Sequence, residues 1–279
     1  MILSYQYLAN IKHQHLLKNA RLPKSPIIVL GNQKSGTTAI AALVGRATKK
    51  KFAIDPWFQI QNKLDIKSQI DLQKQLYEHS CSLNDFINHN KQYFSVEIIK
   101  EPNFTFLYED VIKCFPTAKF IFINRDPRDN IRSILNRLNV PGNLTQLSDC
   151  QLESMTLGWQ LVMEGKYPSV LGNNYIEKLA YRWNIAADTY IKNADNIIYI
   201  AYENFLEDKQ AKIISLAEKI GVNIEHDISQ ELNIQYQPKS NNNASWLEFF
   251  GAKNLAHIND ICGDKIKLFN YNLESDNKR

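Results

Sequence analysis

The sequence predicts an α/β fold, a single domain in which helices flank a central parallel sheet. Short apolar runs of strand length recur along the chain, helical segments separate them, and a glycine-containing loop joins the first run to a helix. Strands that alternate with helices form parallel sheets covered on both faces. The 279 residues, 44% of them hydrophobic, are enough for one large domain.

The sheet is predicted from four apolar runs: residues 26–30, 94–100, 119–124 and 196–200. The first run ends at Gly31 and leads through GNQKSGTT into the helical stretch AIAALVGRA. The third ends in RDPRD, where Asp126 is suited to cap the next helix and Pro127 to occupy its first turn.

The remaining segments complete the predicted domain organisation. Residues 1–24 are predicted to be an N-terminal helical arm, residues 25–272 the main domain and residues 273–279 a tail. Within the domain, residues 140–174 have a looser pattern and are predicted to form an insertion or lid over the sheet edge. Apolar residues at helical spacing predict that residues 246–271 pack back on the core.

Charge and cysteine content narrow the function classes. A net charge of +4 over this length excludes a general polyanion binder, so we expect no nucleic-acid partner. No apolar run approaches the ~18 residues of a membrane span, so we also expect no membrane partner. The four cysteines lack CxxC spacing and are predicted to be buried thiols in a reducing, cytoplasmic location.

The loop GNQKSGTT predicts a phosphate site that differs from a nucleotide-triphosphate loop. Gly31 and Gly36 have the expected spacing, but Thr37 follows the second glycine and the lysine stands at Lys34. Backbone N–H groups and the helix N-terminus can still bind one phosphate. A Walker-type kinase also needs an acidic metal ligand after a neighbouring strand, where this chain has Arg125, so the second phosphate site is predicted to be cationic.

These motifs resemble those of the sulfotransferases that use 3′-phosphoadenosine 5′-phosphosulfate (PAPS). The family's 5′-phosphosulfate loop is matched by residues 33–38, QKSGTT, and its 3′-phosphate motif by Arg125 and Ser133. Tyr202 begins YENF, which is similar to the family's YEDL, and residues 246–271 are similar to its C-terminal helix. The resemblance covers about residues 26–272 and implies the P-loop-like sulfotransferase fold.

The resemblance also implies roles for individual residues. Lys34 is the expected catalytic cation, because negative charge builds up on the oxygen that bridges sulfur and the 5′-phosphate. PAPS would be the co-substrate, adenosine 3′,5′-bisphosphate the product, and no metal would be required. The expected nucleotide-binding residues are Lys34, Ser35, Gly36, Thr37 and Thr38 at the 5′-phosphate, Arg125 and Ser133 at the 3′-phosphate, and Tyr202, Lys239 and Ser240 elsewhere on the nucleotide.

The general base is predicted to be a carboxylate, since no histidine follows Lys100, where one family branch carries it. Other branches use an acid about twenty positions beyond the loop, which favours Asp55, with Lys100 holding the sulfonate. Glu101 is the alternative base. Because neighbouring strand residues face opposite ways, we expect that Lys100 and Glu101 do not both enter the cleft.

The acceptor is predicted only by class, as a hydroxyl or amine of a small molecule, as in secondary metabolism. Trp57 and Phe58 are candidates to line its pocket. Ala39 stands where one branch has a tryptophan on the adenine, so the adenine wall is left open. The alternatives are an ATP- and magnesium-dependent P-loop kinase, or a non-catalytic nucleotide-binding protein of the same fold.

Overall fold

A five-stranded parallel sheet forms the centre of the protein in a computed structural model that describes residues 19–236 and 244–272. The strand order is β2-β3-β1-β4-β5, and all pairs are parallel. The strands are β1 (Ile27–Leu30), β2 (Phe52–Ile54), β3 (Ile98–Lys100), β4 (Lys119–Asn124) and β5 (Ile197–Ala201).

The described residues also form fourteen α-helices, and one 3-10 turn at Ala194–Asn196. The helices are α1 (Thr37–Ala47), α2 (Pro56–Gln61), α3 (Ile66–Tyr77), α4 (Leu83–His89), α5 (Lys91–Phe94), α6 (Asn103–Phe106), α7 (Tyr108–Cys114), α8 (Pro127–Leu138), α9 (Asp149–Glu153), α10 (Leu157–Met163), α11 (Tyr175–Lys192), α12 (Tyr202–Glu207), α13 (Lys209–Ile220) and α14 (Trp246–Leu268).

Helices cover both faces of the sheet, as the sequence predicts. Residues of β1 alternate between the two faces: Ile28 and Leu30 join an aromatic-rich core with α4 and α7, whereas Ile27 and Val29 pack against α1 and α13. This alternation follows from the two-residue period of a strand, and both sets are buried because each face is covered. A third apolar cluster joins α8, α11 and α14.

The topology places two loops at the middle of one sheet edge. Strand β1 lies between β3 and β4, and the chain leaves it toward β2 on one side and later reaches β4 on the other. Open parallel sheets bind ligands outside the carboxyl ends of their strands, where the direction of strand addition reverses. The loops after β1 and β4 lie at that position.

Two details of the predicted sheet are wrong. The sequence predicts four strands, but Phe52–Ile54 adds a fifth at the edge. Its three half-buried residues are too few to give a pattern of alternation. The predicted run 94–100 is strand only from Ile98, because Phe94 ends a helix.

Other expectations have mixed outcomes. The predicted arm lies largely outside the described residues; of its described part, 19–24, residue 19 is helical and residues 20–24 are not. Only Cys262 is buried; Cys81 and Cys114 are half-buried and Cys150 is exposed. Cys150 lies in the short helix α9, none of whose residues is buried. Of the described helices, none is both long and apolar enough to cross a membrane.

Two further predictions concern residues 140–174 and residues 246–271. Residues 140–174 contain α9 and α10, and their role as an insertion or lid stays a prediction. Helix α14 begins at a capping box between Ser245 and Glu248 and packs on the core through Trp246, Phe250 and Ile258, as predicted.

Candidate active site

A cavity of about 800 Å³ opens at the carboxyl edge of the sheet. Its lining includes the loop after β1, the ends of β3 and β4, helices α2 and α3, part of α10, and residues 232–236. The candidate catalytic residues lie in this one cavity, since Lys34, Asp55, Lys100 and Glu101 all line it.

Two glycines shape the loop between β1 and α1. Gly31 has φ +137°, and a Cβ there would lie 2.4 Å from the Ile123 carbonyl oxygen, so β1 and β4 could not approach as they do. Gly36 has φ +87°, and a Cβ there would overlap the Tyr202 ring at 2.2 Å. No side chain caps α1, so its first-turn N–H groups remain directed at the loop.

Asn130, in the first turn of α8, binds this loop through three hydrogen bonds. Its Nδ2 donates to the Gln33 carbonyl at 2.8 Å and to Ser35 Oγ at 3.0 Å, and its Oδ1 accepts from Asn32 Nδ2 at 2.9 Å. Asn130 and Ser35 are fully buried. Because these bonds are shielded from water, they fix the loop relative to the helix that follows β4.

Arg125 connects the two phosphate motifs directly. Its Nη1 donates to the Lys34 carbonyl at 3.1 Å, and its guanidinium lies 4.9 Å from the centre of the Tyr202 ring. Trp183 of α11 donates its indole N–H to the Arg125 carbonyl at 2.9 Å. The ion pairs of Asp126 with Arg128, at 2.6 Å, and of Asp129 with Arg132, at 2.5 Å, do not involve Arg125.

The phosphate side of the cavity is cationic. The described residues that line the whole cavity include five cationic side chains (Lys34, Lys100, Arg125, Arg137, Lys209) and two carboxylates (Asp55, Glu101), and both carboxylates lie away from Arg125. Burial lowers the pKa of Lys34 from 10.5 to about 8. The charges of Arg137, Arg125 and Lys100 act in the same direction, in that order. This field favours an anionic ligand.

Asp55 and Lys100 form an ion pair on the opposite side of the loop. Lys100 Nζ lies 2.6 Å from Asp55 Oδ1, with the lysine side chain 5% and the aspartate side chain 34% exposed. The Asp55 N–H donates to the Lys100 carbonyl at 2.9 Å. Asp55 precedes α2 with φ +50° but forms no side-chain cap, so its carboxylate remains at the cavity. A left-handed non-glycine residue costs energy, and such strain clusters at functional sites.

Glu101 is buried beside this pair. Its Oε2 accepts from the Trp57 N–H at 3.0 Å, and its Oε1 accepts from the Asn103 N–H at 3.1 Å and Nδ2 at 3.0 Å. Burial, followed by the charge of Asp55, raises the pKa of Glu101 from 4.5 to about 7. The carboxylate therefore fastens the start of α2 to the turn after β3.

The predicted separation of Lys100 and Glu101 is wrong, since both line the cavity. Strand β3 ends at Lys100. Glu101 belongs to the turn that follows, where the alternation of a strand no longer applies.

Comparison of the chain with known protein families identifies its family. The family model described as "Sulfotransferase family" matches residues 26–226, which is more than half of the chain. The chain belongs to the sulfotransferase family. None of the curated proteins compared matches it.

Solved structures of sulfotransferases share the fold. Sulfotransferase STF9 from Mycobacterium avium has 13% identity and a TM-score of 0.61, over 96% of this chain and 82% of that one. Sulfotransferase STF1 from Mycobacterium tuberculosis H37Rv has 12% identity and a TM-score of 0.50, over 90% and 79% of the respective chains. At this identity the likeness concerns the fold alone.

The structure of this family member brings most of the predicted site residues together. Besides the four candidate catalytic residues, Gly36, Thr37, Thr38, Arg125, Ser133 and Tyr202 line the cavity, as do Trp57 and Phe58. Tyr202 lies between Gly36 and Arg125, so it also packs the phosphate loop. Lys239 and Ser240 lie outside the described residues.

Ser35 lies apart from the cavity surface. Its hydroxyl accepts from Asn130, and its N–H donates to the Asn32 carbonyl at 3.2 Å. In this arrangement Ser35 is bonded within the protein, and its neighbours Lys34 and Gly36 form the surface of the loop that lines the cavity. The predicted role of its N–H in phosphate binding stays a prediction.

Three residues of this sulfotransferase are absent from the sequence prediction. Arg137 lines the cavity one helical turn after Ser133, a spacing that could have indicated it. Asn130 and Arg182 act at longer range: Arg182, 2% exposed, donates to Gln33 Oε1 at 2.8 Å and to the Tyr167 carbonyl at 3.1 Å. The sequence gives no signal for a partner 149 positions away.

Proposed function

We propose that this protein transfers a sulfonate group from PAPS to a hydroxyl or amine of a small molecule and releases adenosine 3′,5′-bisphosphate. One observation carries the proposal: the phosphate loop and the Arg125 motif meet at a single cavity, joined by the hydrogen bond from Arg125 to the Lys34 carbonyl. Sites for two separate phosphates on one cavity suit a doubly phosphorylated nucleoside.

The residues present fit this donor. Arg125 Nε is buried and has no hydrogen-bond partner among the described residues, so the guanidinium retains donors for the 3′-phosphate. Ser133 and Arg137 of α8 line the same part of the cavity. On the other side of Arg125, Lys34 and the first turn of α1 would hold the 5′-phosphosulfate.

Lys34 would do the main electrostatic work. In sulfonate transfer the bond from sulfur to the bridging oxygen breaks, and a new bond forms from sulfur to the acceptor oxygen or nitrogen. Negative charge accumulates on the bridging oxygen, and a fixed ammonium at that point stabilises the transition state. The described residues hold no cluster of His, Cys, Asp or Glu suited to a metal ion.

Asp55 is the proposed general base that accepts the acceptor's proton. Its carboxylate is a third exposed at the cavity, whereas Glu101 is 2% exposed and accepts three hydrogen bonds from Trp57 and Asn103. We therefore assign Glu101 to positioning. Lys100, at 2.6 Å from Asp55, would orient the base and contact the sulfonate.

A ligand-binding experiment tests the donor. Adenosine 3′,5′-bisphosphate is expected to raise the melting temperature without added metal. At a hundredfold excess over Kd, the free energy of unfolding should increase by about 2.7 kcal/mol. Adenosine 5′-monophosphate, which lacks the 3′-phosphate, should stabilise less. Arg125→Ala should abolish this difference, whereas Arg21→Ala, at an exposed arginine outside the cavity lining, should preserve it.

The same assay separates the alternatives. Stabilisation by ATP with magnesium but not by the bisphosphate would instead support a kinase. Binding of the bisphosphate without transfer from PAPS to any extract component, measured as a mass gain of one sulfonate, would support a non-catalytic protein. Lys34→Ala is the control for transfer, since it removes the catalytic ammonium.

A further inference from the structure

We propose that the acceptor is an uncharged, polyhydroxylated molecule of the saccharide or glycoside class. This inference rests on the proposed sulfonate transfer and concerns the part of the cavity lined by α2, α3 and α10, called here the acceptor wall. It is defined by Trp57, Phe58, Gln61, Asn62, Gln73 and Trp159.

Two buried amides form the centre of the acceptor wall. Gln61 and Gln73 are 7% and 5% exposed, and Gln61 Nε2 donates to Gln73 Oε1 at 3.5 Å. Whichever way the two amides are oriented, this bond leaves one carbonyl oxygen and one amide nitrogen for a ligand. A buried amide without a partner is costly, and a hydroxyl can donate to the oxygen and accept from the nitrogen.

Aromatic side chains accompany these amides. Phe58 is 51% exposed although it belongs to the cavity lining, and half-buried Trp159 lines the cavity from α10. The Trp57 indole N–H is buried without a hydrogen-bond partner among the described residues. Ring faces give apolar contact to the C–H face of a sugar ring, while an indole N–H suits a hydroxyl oxygen.

The charged side chains next to the acceptor wall already have partners, so they do not favour a charged acceptor. Lys100 is paired with Asp55, and Glu101 is bonded to Trp57 and Asn103. An anionic acceptor would compete with Asp55 for Lys100, and an ammonium group would compete with Lys100 for Asp55. A plain phenol avoids both conflicts but leaves the buried amides unpaired. A neutral molecule with several hydroxyls satisfies both conditions.

A matched acceptor series tests the class. With PAPS as donor, phenyl β-glucoside, phenyl β-glucuronide and phenol share one aromatic ring. The first carries a neutral sugar, the second a charged sugar, and the third only its own hydroxyl, which stays neutral at the assay pH. We expect the glucoside to have a kcat/KM at least about tenfold above the other two, because unpaired polar groups in a site discriminate strongly. Fragmentation of the product should place the sulfonate on the sugar.

Variants of the wall add a second readout. Gln73→Leu should lower kcat/KM for the glucoside about tenfold, and should reduce or reverse the preference for the glucoside over phenol, because phenol no longer leaves this amide unpaired. Gln75→Leu, at an exposed glutamine of the same helix outside the cavity lining, should affect neither. If Gln73→Leu does not fold, Asn62→Ala, at an exposed lining residue, supplies the same comparison.

Other outcomes contradict the inference. Equal or faster transfer to phenol, faster transfer to the glucuronide, or no transfer to the glucoside would overturn it, provided that the protein still binds adenosine 3′,5′-bisphosphate. Absence of bisphosphate binding would overturn the proposed function itself.

Discussion

Lys34 has a positive φ of 69° and lies in the field of three other cations, Arg137, Arg125 and Lys100. These charges destabilise its ammonium in the free protein. Binding of the donor would relieve the repulsion, because phosphate and sulfonate oxygens favour the charged form. Ligand binding and the charge of Lys34 are therefore coupled.

The first prediction follows from this coupling. With a pKa lowered to about 8, Lys34 is protonated below that pH and loses its charge above it. Since kcat/KM reports the free enzyme, kcat/KM for PAPS should fall above about pH 8, while kcat falls only at higher pH. Lys34→Arg should remove this alkaline limb, because guanidinium stays charged. Persistence of the limb in Lys34→Arg would assign it to another group.

The second prediction separates the two carboxylates. Asp55→Asn should lower kcat about 100-fold or more with little change in bisphosphate binding, as expected for loss of a general base. Glu101→Gln should have the smaller effect on kcat, because its amide oxygen can still accept from Trp57 or Asn103. Both variants are compared by steady-state kinetics and by bisphosphate titration. Full turnover in Asp55→Asn together with an inactive Glu101→Gln would reverse the assignment.

At the scale of elements, α8 and the phosphate loop act as one unit. Asp126 caps α8 by accepting from the Arg128 N–H at 2.9 Å, which fixes where the helix begins. Asn130 then lies under the loop, and Ser133 and Arg137 follow at the cavity. The support of the loop by Asn130 and the positions of Ser133 and Arg137 at the cavity therefore all depend on where this one helix begins.

The third prediction concerns this unit. Asn130→Ala leaves the half-buried Gln33 carbonyl and the buried Ser35 Oγ and Asn32 Nδ2 without these hydrogen bonds, at a cost of about 1–3 kcal/mol of stability. Affinity for adenosine 3′,5′-bisphosphate should fall about tenfold or more, because the loop is no longer held in place. Asn88→Ala on α4, outside the cavity lining, is the matched control. An unchanged Kd in Asn130→Ala would show that the loop keeps its shape without this brace.

Local patterns were sufficient to predict much of this arrangement from the sequence. The strands β1 and β4 are continuous apolar runs, and the motifs that follow them are contiguous, so their meeting follows from the parallel topology. The sequence does not predict strand β2, because three residues are too few to show the two-residue alternation of a strand. The support from Asn130 and Arg182 depends on partners about 100 or more positions away, which no local pattern encodes.

At the scale of the whole molecule, the cavity lies among apolar layers that also supply part of its lining, such as Trp57, Val162 and Leu43. The clusters on the two sheet faces and the cluster of α8, α11 and α14 are apolar, whereas the cavity gathers buried polar groups such as Lys100, Glu101 and Ser133. Burial of ionisable groups reduces stability when they are charged. The apolar layers must offset this cost, and stability should therefore depend on the protonation of the site.

The last prediction measures this cost at Glu101. Its pKa is about 7 in the folded protein against 4.5 as the ordinary value, so between these pH values the folded state retains a proton that the unfolded state has lost. The free energy of unfolding should therefore fall as pH rises from about 4.5 to 7 and then level off. Glu101→Gln lacks this titration, so its melting temperature relative to the wild type should increase over the same range. The control Glu109→Gln, at an exposed glutamate, should leave the wild-type profile unchanged. Parallel melting curves of wild type and Glu101→Gln from pH 4.5 to 8 would mean that Glu101 titrates normally and that its burial costs nothing at neutral pH.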